Sequence, residues 1–253
     1  MKYFKKIGGF VLTVYLIVGT LLFILQREFM YFPTPKLEHI FEIEQYANDG
    51  ETIDVVVLNR GNQNAIIYFG GNGERVVNNA NDFIDTFQSH TIYLVNYRGY
   101  SGSTGTPTEE AIYSDAHAIY DEVGNEHKEI SVIGRSLGTG VATFLASTRE
   151  VTKMVLISPY DSIVNLAQDQ YPMYPISLLL VDKYMSSDRV GRIKSKTLIL
   201  LAENDLVIPF KYSEKIIEEF SPHQVVVETI KNSGHNTISN SNRYYQLLHD
   251  FFK

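Results

Sequence analysis

Ser136 is the residue on which any covalent chemistry in this chain turns. It sits in Gly134-Arg135-Ser136-Leu137-Gly138, after the apolar run Ile130–Ile133 and before a helical pattern from Leu137 to Ala146. A strand, a Gly-x-Ser-x-Gly turn and a helix lift one hydroxyl above the edge of a parallel sheet on a sharp, strained turn. Glycines two before and two after the serine are needed, because side chains there would strike the neighbouring strand and helix. The bland alternative is an ordinary strand-to-helix turn.

A serine hydroxyl is a weak nucleophile unless a base takes its proton and a third group orients the base. Of seven histidines (39, 90, 117, 127, 223, 235 and 249), only His235 lies in a loop after the last sheet strand, beside Gly234. His90 and His127 directly precede strands, at the wrong end of a sheet. Acid candidates that follow a strand are Asp161, Glu203 and Asp205. Asp205, four residues beyond Leu201, is preferred, and Asp161 is the runner-up. The other role open to Asp205 is to cap the helix near Pro209. Charge developing on an oxyanion needs preoriented N–H donors. The backbone of Leu137 is one, and the loop Gly70-Gly71-Asn72-Gly73 supplies the second, with Asn72 the candidate. That loop lacks the endings of a phosphate-binding P-loop or dinucleotide fingerprint.

These residues require a scaffold. The hairpin signal Asn48-Asp49-Gly50 joins two alternating segments, Phe41–Glu44 and Glu51–Leu58. Continuous apolar runs follow at 65–69, 91–95, 130–133, 154–157, 197–201 and 225–227, as expected for strands buried on both faces of a parallel sheet. Helical spacing appears between them: Val76 to Phe87, Ile112 to Val123 after Thr108-Glu109-Glu110, Leu137 to Ala146, Phe210 to Phe220 and Tyr244 to Phe252. This alternation gives right-handed βαβ units and a doubly wound α/β domain, in which ligands bind beyond the carboxyl ends of the strands.

The 253 residues suffice for one domain with an appendage. A net charge of -7 leaves no basic footprint for nucleic acid. Cysteine is absent and the histidines are scattered, so no disulfide, thiolate site or metal spacing is indicated and no cofactor is expected. Oligomeric state is not legible.

The appendage is N-terminal. After a tail of residues 1–6, Ile7 to Leu25 is uncharged over a length that matches a ~30 Å hydrocarbon layer. A cleavable signal peptide is the competing reading, but the run is longer than usual and no A-x-A-like site follows. Lys2, Lys5 and Lys6 precede the span and Arg27 follows it, which favours a cytoplasmic N-terminus and a translocated domain in a single-pass membrane protein. Residues 26–37, with Tyr31-Phe32-Pro33-Thr34-Pro35, form a short connector to the domain at 38–253. Residues 161–193 separate two strands, either as a small lid or as helix packed on the sheet edge. Tyr160, Tyr171, Met173 and Tyr174 are candidate acyl-pocket residues there.

Taken in order, Phe69-Gly70-Gly71-Asn72, Tyr97-Arg98-Gly99-Tyr100-Ser101-Gly102-Ser103, Gly134 to Gly138, Asp205-Leu206-Val207-Ile208-Pro209 and Gly234-His235-Asn236 resemble the α/β-hydrolase superfamily, and most its membrane-anchored serine hydrolases of the ABHD type. The chain order Ser136, Asp205, His235 matches that family's nucleophile, acid and histidine. Relatives often carry His where Gly70 stands. The resemblance implies a mostly parallel sheet flanked by helices and hydrolysis of carboxylic esters, thioesters or sometimes amides. The expected substrate is a small or lipid-like acyl compound. The competing view is a membrane-tethered binding module that keeps the fold without catalysis.

Overall fold

The computed structural model describes residues 2–253. Asn48 closes strand β1 (Glu42–Asn48) and Glu51 opens β2 (Glu51–Leu58), with Asp49 and Gly50 both at positive φ. That pair of left-handed residues makes the tight hairpin turn that the right-handed strand twist demands. Next come β3 (Asn64–Phe69), α2 (Ala80–Thr86), β4 (His90–Val95), α3 (Glu109–Val123), β5 (Glu129–Arg135), α4 (Leu137–Thr148) and β6 (Lys153–Ile157). Three short helices, α5 (Ile163–Gln170), α6 (Ile176–Leu179) and α7 (Ser187–Val190), fill the insert. The chain ends with β7 (Lys196–Ala202), α8 (Phe210–Glu218), β8 (Val225–Ile230) and α9 (Asn242–Phe252). All eight strands form one sheet in the order β1-β2-β4-β3-β5-β6-β7-β8. The pairs β1·β2 and β2·β4 are antiparallel and the rest parallel. This is the α/β-hydrolase fold.

Burial follows the strand pleat. Ile67, Val132 and Leu156 face one layer with Ile112, Val141 and Ile216, while Ile66, Ile133 and Val155 face the other with Phe83, Leu248 and Phe252. The central strands are thus covered on both faces, as their unbroken apolar runs require. β8 departs from that expectation: as the edge strand it leaves Val226 and Val227 exposed. The helix expected over Val76–Phe87 also divides, into a 3₁₀ turn at Val76–Asn79 and then α2. The Asn79 side chain is drawn to Glu74 (2.7 Å) and to the Val76 carbonyl, competing with helical backbone bonding at that point.

Register places the strand ends that matter at one edge. Phe69 pairs with Gly134, Arg135 with Ile157, Ile157 with Leu200 and Ala202 with Ile230. The loops that follow β3, β5, β6, β7 and β8 therefore leave the sheet side by side.

Helix α1 runs unbroken from Lys2 to Met30. Within its Tyr3–Met30 stretch the most apolar 18 residues have a mean hydropathy of 2.4, and the helix is long and apolar enough to cross a membrane. The following segment is tied to the domain: Tyr31 is buried, and Ser101 donates its N–H to the Thr34 carbonyl (2.7 Å).

Candidate active site

Ser136 has φ 49° and ψ −116°, a conformation that an L residue adopts only when its surroundings impose it. The surroundings are visible. A Cβ on Gly138 would lie 2.0 Å from the Phe69 carbonyl oxygen, and one on Gly134 would lie 2.4 Å from that of Gly138. The two glycines let β3, β5 and α4 close around the turn. Ser136 itself donates its N–H to the Ile157 carbonyl (2.9 Å), which locks the turn to β6.

The loops after β7 and β8 meet the serine. His235 Nε2 lies 3.0 Å from Ser136 Oγ. Its Nδ1 lies 2.8 and 3.1 Å from the two carboxylate oxygens of Asp205. Asp205 Oδ1 also accepts from the N–H groups of Val207 (3.0 Å) and Ile208 (2.8 Å). Burial alone would raise this carboxyl, but hydrogen bonds from His235 and from Ile208 N–H outweigh it and hold the group below the ordinary carboxylate range. Asp205 thus holds the turn before α8 and faces His235 at once, whereas α8 itself starts after Pro209 without a side-chain cap. The other acids are committed elsewhere. Asp161 accepts from Asn165 beside Lys215, and Glu203 pairs with Lys231 (2.9 Å) and Asn232 N–H (2.8 Å).

The loop after β3 flanks the serine. A Cβ on Gly71 would come within 3.6 Å of Ser136 Cβ. The Gly71 N–H is taken by Glu74 Oε2 (2.6 Å), whereas the Asn72 N–H has no partner among the described residues. Leu137 opens α4, where backbone N–H groups lack intrahelical acceptors. The Leu137 N–H directly follows Ser136, and the Asn72 N–H follows Gly71, the residue packed against that serine. The side chain of Asn72 does different work: its Oδ1 accepts from Phe32 N–H and Tyr100 OH (both 2.9 Å), and its Nδ2 donates to the Met30 carbonyl (2.6 Å).

Glu74 escaped the sequence reading. It accepts from Tyr68 OH (2.7 Å) and Gly71 N–H, and Arg135 lies 3.5 Å away. The signal available was an acid placed within a glycine-rich strand-end loop. The motif from Tyr97 to Ser103 also gains a physical role. Arg98 is buried in a bidentate pair with Asp115 (2.7 and 2.5 Å), and Tyr97 OH donates to the Gly70 carbonyl (2.8 Å). Tyr97 therefore braces the β3 loop, while Arg98 is committed to Asp115 on α3. Arg135 is likewise occupied, by Glu74 and by the His235 carbonyl (3.2 Å).

Of the four candidate pocket residues, two line a cavity and two do not. Tyr171 and Tyr174 border a space of about 360 Å³ between the insert and α1, lined also by Phe32, Val207 and Ile208. Tyr160 is fully buried beneath α4, where its OH donates to the Leu137 carbonyl (3.1 Å) and takes the room left by Gly140. Met173 is not part of the cavity lining and lies exposed, its carbonyl accepting from Tyr15 OH (2.8 Å). The wall that sequence reasoning missed is α1 itself, through Gly19, Leu22, Phe23, Gln26, Phe29 and Met30.

No protein-family model matches the chain. It is similar to the alpha/beta hydrolase domain-containing protein aho-3 of Caenorhabditis elegans, 30% identical over 166 residues that cover 63% of this chain and 48% of that one. A putative alpha/beta hydrolase of Acanthamoeba polyphaga mimivirus is 29% identical over 208 residues, 76% of each chain. This chain spans about half the length of several curated relatives it matches, including one from Mycobacterium tuberculosis. Among solved structures, a Pyrococcus furiosus esterase superposes with a TM-score of 0.69 over 87% of this chain and 98% of its own, at 16% identity.

Proposed function

We propose that this chain, which has the α/β-hydrolase fold and is similar to alpha/beta hydrolase domain-containing proteins, is a membrane-anchored serine hydrolase of carboxylic esters or thioesters with an apolar acyl group. One observation carries the reading: His235 bridges Ser136 Oγ and the Asp205 carboxylate at 3.0 and 2.8 Å on a strained turn. Ser136 Oγ attacks the acyl carbon and passes its proton to His235 Nε2. Asp205 holds the imidazole through Nδ1–H and stabilises it when charged. The Leu137 and Asn72 N–H groups receive the oxyanion, a contribution typically worth ~10²–10³ in rate per donor. Collapse expels the alcohol or thiol, which leaves with the proton from His235, and the acyl group stays on Ser136. Water then attacks the acyl-enzyme. His235 takes a proton from it and returns that proton to Ser136 Oγ as the carboxylic acid departs.

The anchor is α1, with its N-terminus cytoplasmic and the domain translocated, as the lysines at 2, 5 and 6 favour. The test of the chemistry is p-nitrophenyl acetate turnover by the full chain in phosphatidylcholine vesicles. Ser136→Ala should lower kcat/KM by at least ~10³ with unchanged melting, and His235→Ala nearly as much. Turnover retained by Ser136→Ala refutes the reading. The same three residues also suit an amidase or peptidase, which p-nitroanilide substrates separate.

A further inference from the structure

We propose that the insert dips into the bilayer beside α1, and that the cavity between them receives one acyl chain of a membrane lipid directly from the hydrocarbon layer. The proposal rests on the hydrolase reading and extends it by making the anchor helix a wall of the acyl site.

Contacts between α1 and the insert begin far inside the apolar span. Tyr15 stacks on Tyr174 with ring centroids 4.5 Å apart, and Tyr174 OH donates to the Tyr15 carbonyl (3.1 Å). Gly19 lies against the same ring, where an added Cβ would sit 2.8 Å from it. Nearer the domain, Gln26 Oε1 accepts from Val181 N–H (2.7 Å), and Arg27 pairs with Asp182 (2.9 Å), which also accepts from Tyr31 OH (3.1 Å). From Tyr15 to Leu25 a helix rises about 15 Å, roughly half of a ~30 Å hydrocarbon layer. If Ile7–Leu25 spans the membrane, the tip of the insert lies at that depth. The charged cluster of Arg27 and Asp182 then marks the level where the chain leaves it.

The insert is built for such a place. Its tip exposes large apolar side chains, Met173 at 75%, Leu178 at 82% and Val181 at 52%, while the exposed Asp169, on α5, is paired with Lys211. Irregular backbone survives at membrane depth only if its polar groups are satisfied. Pro172 and Pro175 have no N–H to satisfy. The Tyr171 and Tyr174 carbonyls accept from Gln168 Nε2 (3.4 and 3.0 Å), and the Met173 carbonyl accepts from Tyr15 OH. The Pro175 carbonyl accepts from Leu178 and Leu179 N–H. In water a tip this apolar would be a liability; in lipid it is matched to its surroundings.

The cavity continues from this tip toward the chemistry. Phe32 lines it and is held by Asn72 of the β3 loop; Val207 and Ile208 line it too and hold Asp205. Its lining therefore includes residues bonded to both loops that flank Ser136. Leu206, next to Asp205 and Val207, is 91% exposed. A space of about 360 Å³ between helices, walled by Leu22, Phe23, Leu166 and Tyr174, fits a single alkyl chain.

The test has two arms on the full chain in phosphatidylcholine vesicles. The protein has no Trp, so Leu178→Trp is a reporter without background. Its emission should be quenched by lipids carrying a mid-chain doxyl group, while that of Val226→Trp, on the edge strand β8, should not. An unquenched Leu178→Trp overturns the bilayer placement. In the second arm, kcat/KM is measured for p-nitrophenyl esters from acetate to dodecanoate. It should rise about fourfold per methylene until the cavity is full. Ala167→Phe narrows the cavity from the insert and Leu22→Trp from α1. Each should lower the dodecanoate-to-acetate ratio tenfold or more. A ratio unchanged by Leu22→Trp overturns the shared wall. Absence of any turnover that depends on Ser136 refutes the hydrolase reading instead. In that case binding of a fluorescent C12 fatty acid decides the cavity: present in the wild type and lost in Leu22→Trp supports it, and binding equal in both overturns it.

Discussion

Replacing Asp205 by Asn removes one charge and creates a choice between two bad arrangements. In the native site Oδ1 accepts from Val207 and Ile208 N–H, while Oδ2 faces His235 Nδ1 at 2.8 Å. If the amide oxygen of Asn keeps the two backbone donors, the NH₂ faces Nδ1 and donates to it. That forces the imidazole proton onto Nε2, so the nitrogen 3.0 Å from Ser136 Oγ can no longer take a proton. If the amide turns over, the NH₂ confronts two backbone N–H groups, leaving two donors unsatisfied at about 1–3 kcal/mol each. The first arrangement is the cheaper, and it has the wrong tautomer for a base. The expected loss in kcat/KM is therefore ~10³–10⁴ near pH 7, with small change in KM. p-Nitrophenyl acetate turnover measures it, with thermal melting to show that the fold persists. The acid limb adds a check. Because the folded pKa of Asp205 is depressed, its stabilising contribution is complete above the ordinary carboxylate value of about 4 and fades as pH falls through the lower folded value. The melting difference between wild type and Asp205→Asn should shrink below about pH 4. Activity within tenfold of wild type would refute the orienting role, and a larger loss in Asp161→Asn would transfer it.

Three further outcomes are expected. Asp115→Ala leaves the Arg98 guanidinium buried without its partner, which should cost about 3–5 kcal/mol and lower Tm by roughly 6–20 °C; calorimetry measures it, and a shift under 2 °C would contradict the buried pairing. Gly138→Ala drives a methyl group to 2.0 Å from the Phe69 carbonyl oxygen, so esterase activity should fall at least tenfold and stability by about 1–3 kcal/mol; unchanged activity would mean the elbow tolerates separation of β3 from α4. Alkaline carbonate should leave the full chain in the membrane pellet, and a reporter fused after Lys253 should be active only on the translocated side; release, or cytoplasmic reporter activity, contradicts the anchor or its orientation respectively.

What was legible in the sequence was whatever depends on local backbone demands. The Asn48-Asp49-Gly50 turn needs left-handed residues, and Gly134 and Gly138 are needed where a Cβ would strike a carbonyl oxygen. Ser136, Asp205 and His235 could be picked out because each follows a parallel strand at the carboxyl edge, and the structure brings all three within hydrogen-bond reach. Contacts between distant segments were not legible. Tyr160 follows β6 as a pocket residue would, yet the gap left by Gly140 draws it under α4. The hydropathy of α1 reads as a plain span, and nothing in its pattern announces that Tyr15 and Gly19 meet Tyr174 some 160 residues away. β8 reads like the other strands because apolar runs do not reveal which strand lies at the edge.

The central claim is that Ser136 alone is the activated nucleophile. A fluorophosphonate probe added to the full chain in vesicles tests it, with the adduct located by peptide mass spectrometry. One adduct per chain is expected, on the peptide containing Ser136, absent in Ser136→Ala and formed at least ~10² times more slowly in His235→Ala. An adduct on another serine, or labelling of Ser136→Ala at the wild-type rate, would contradict the account.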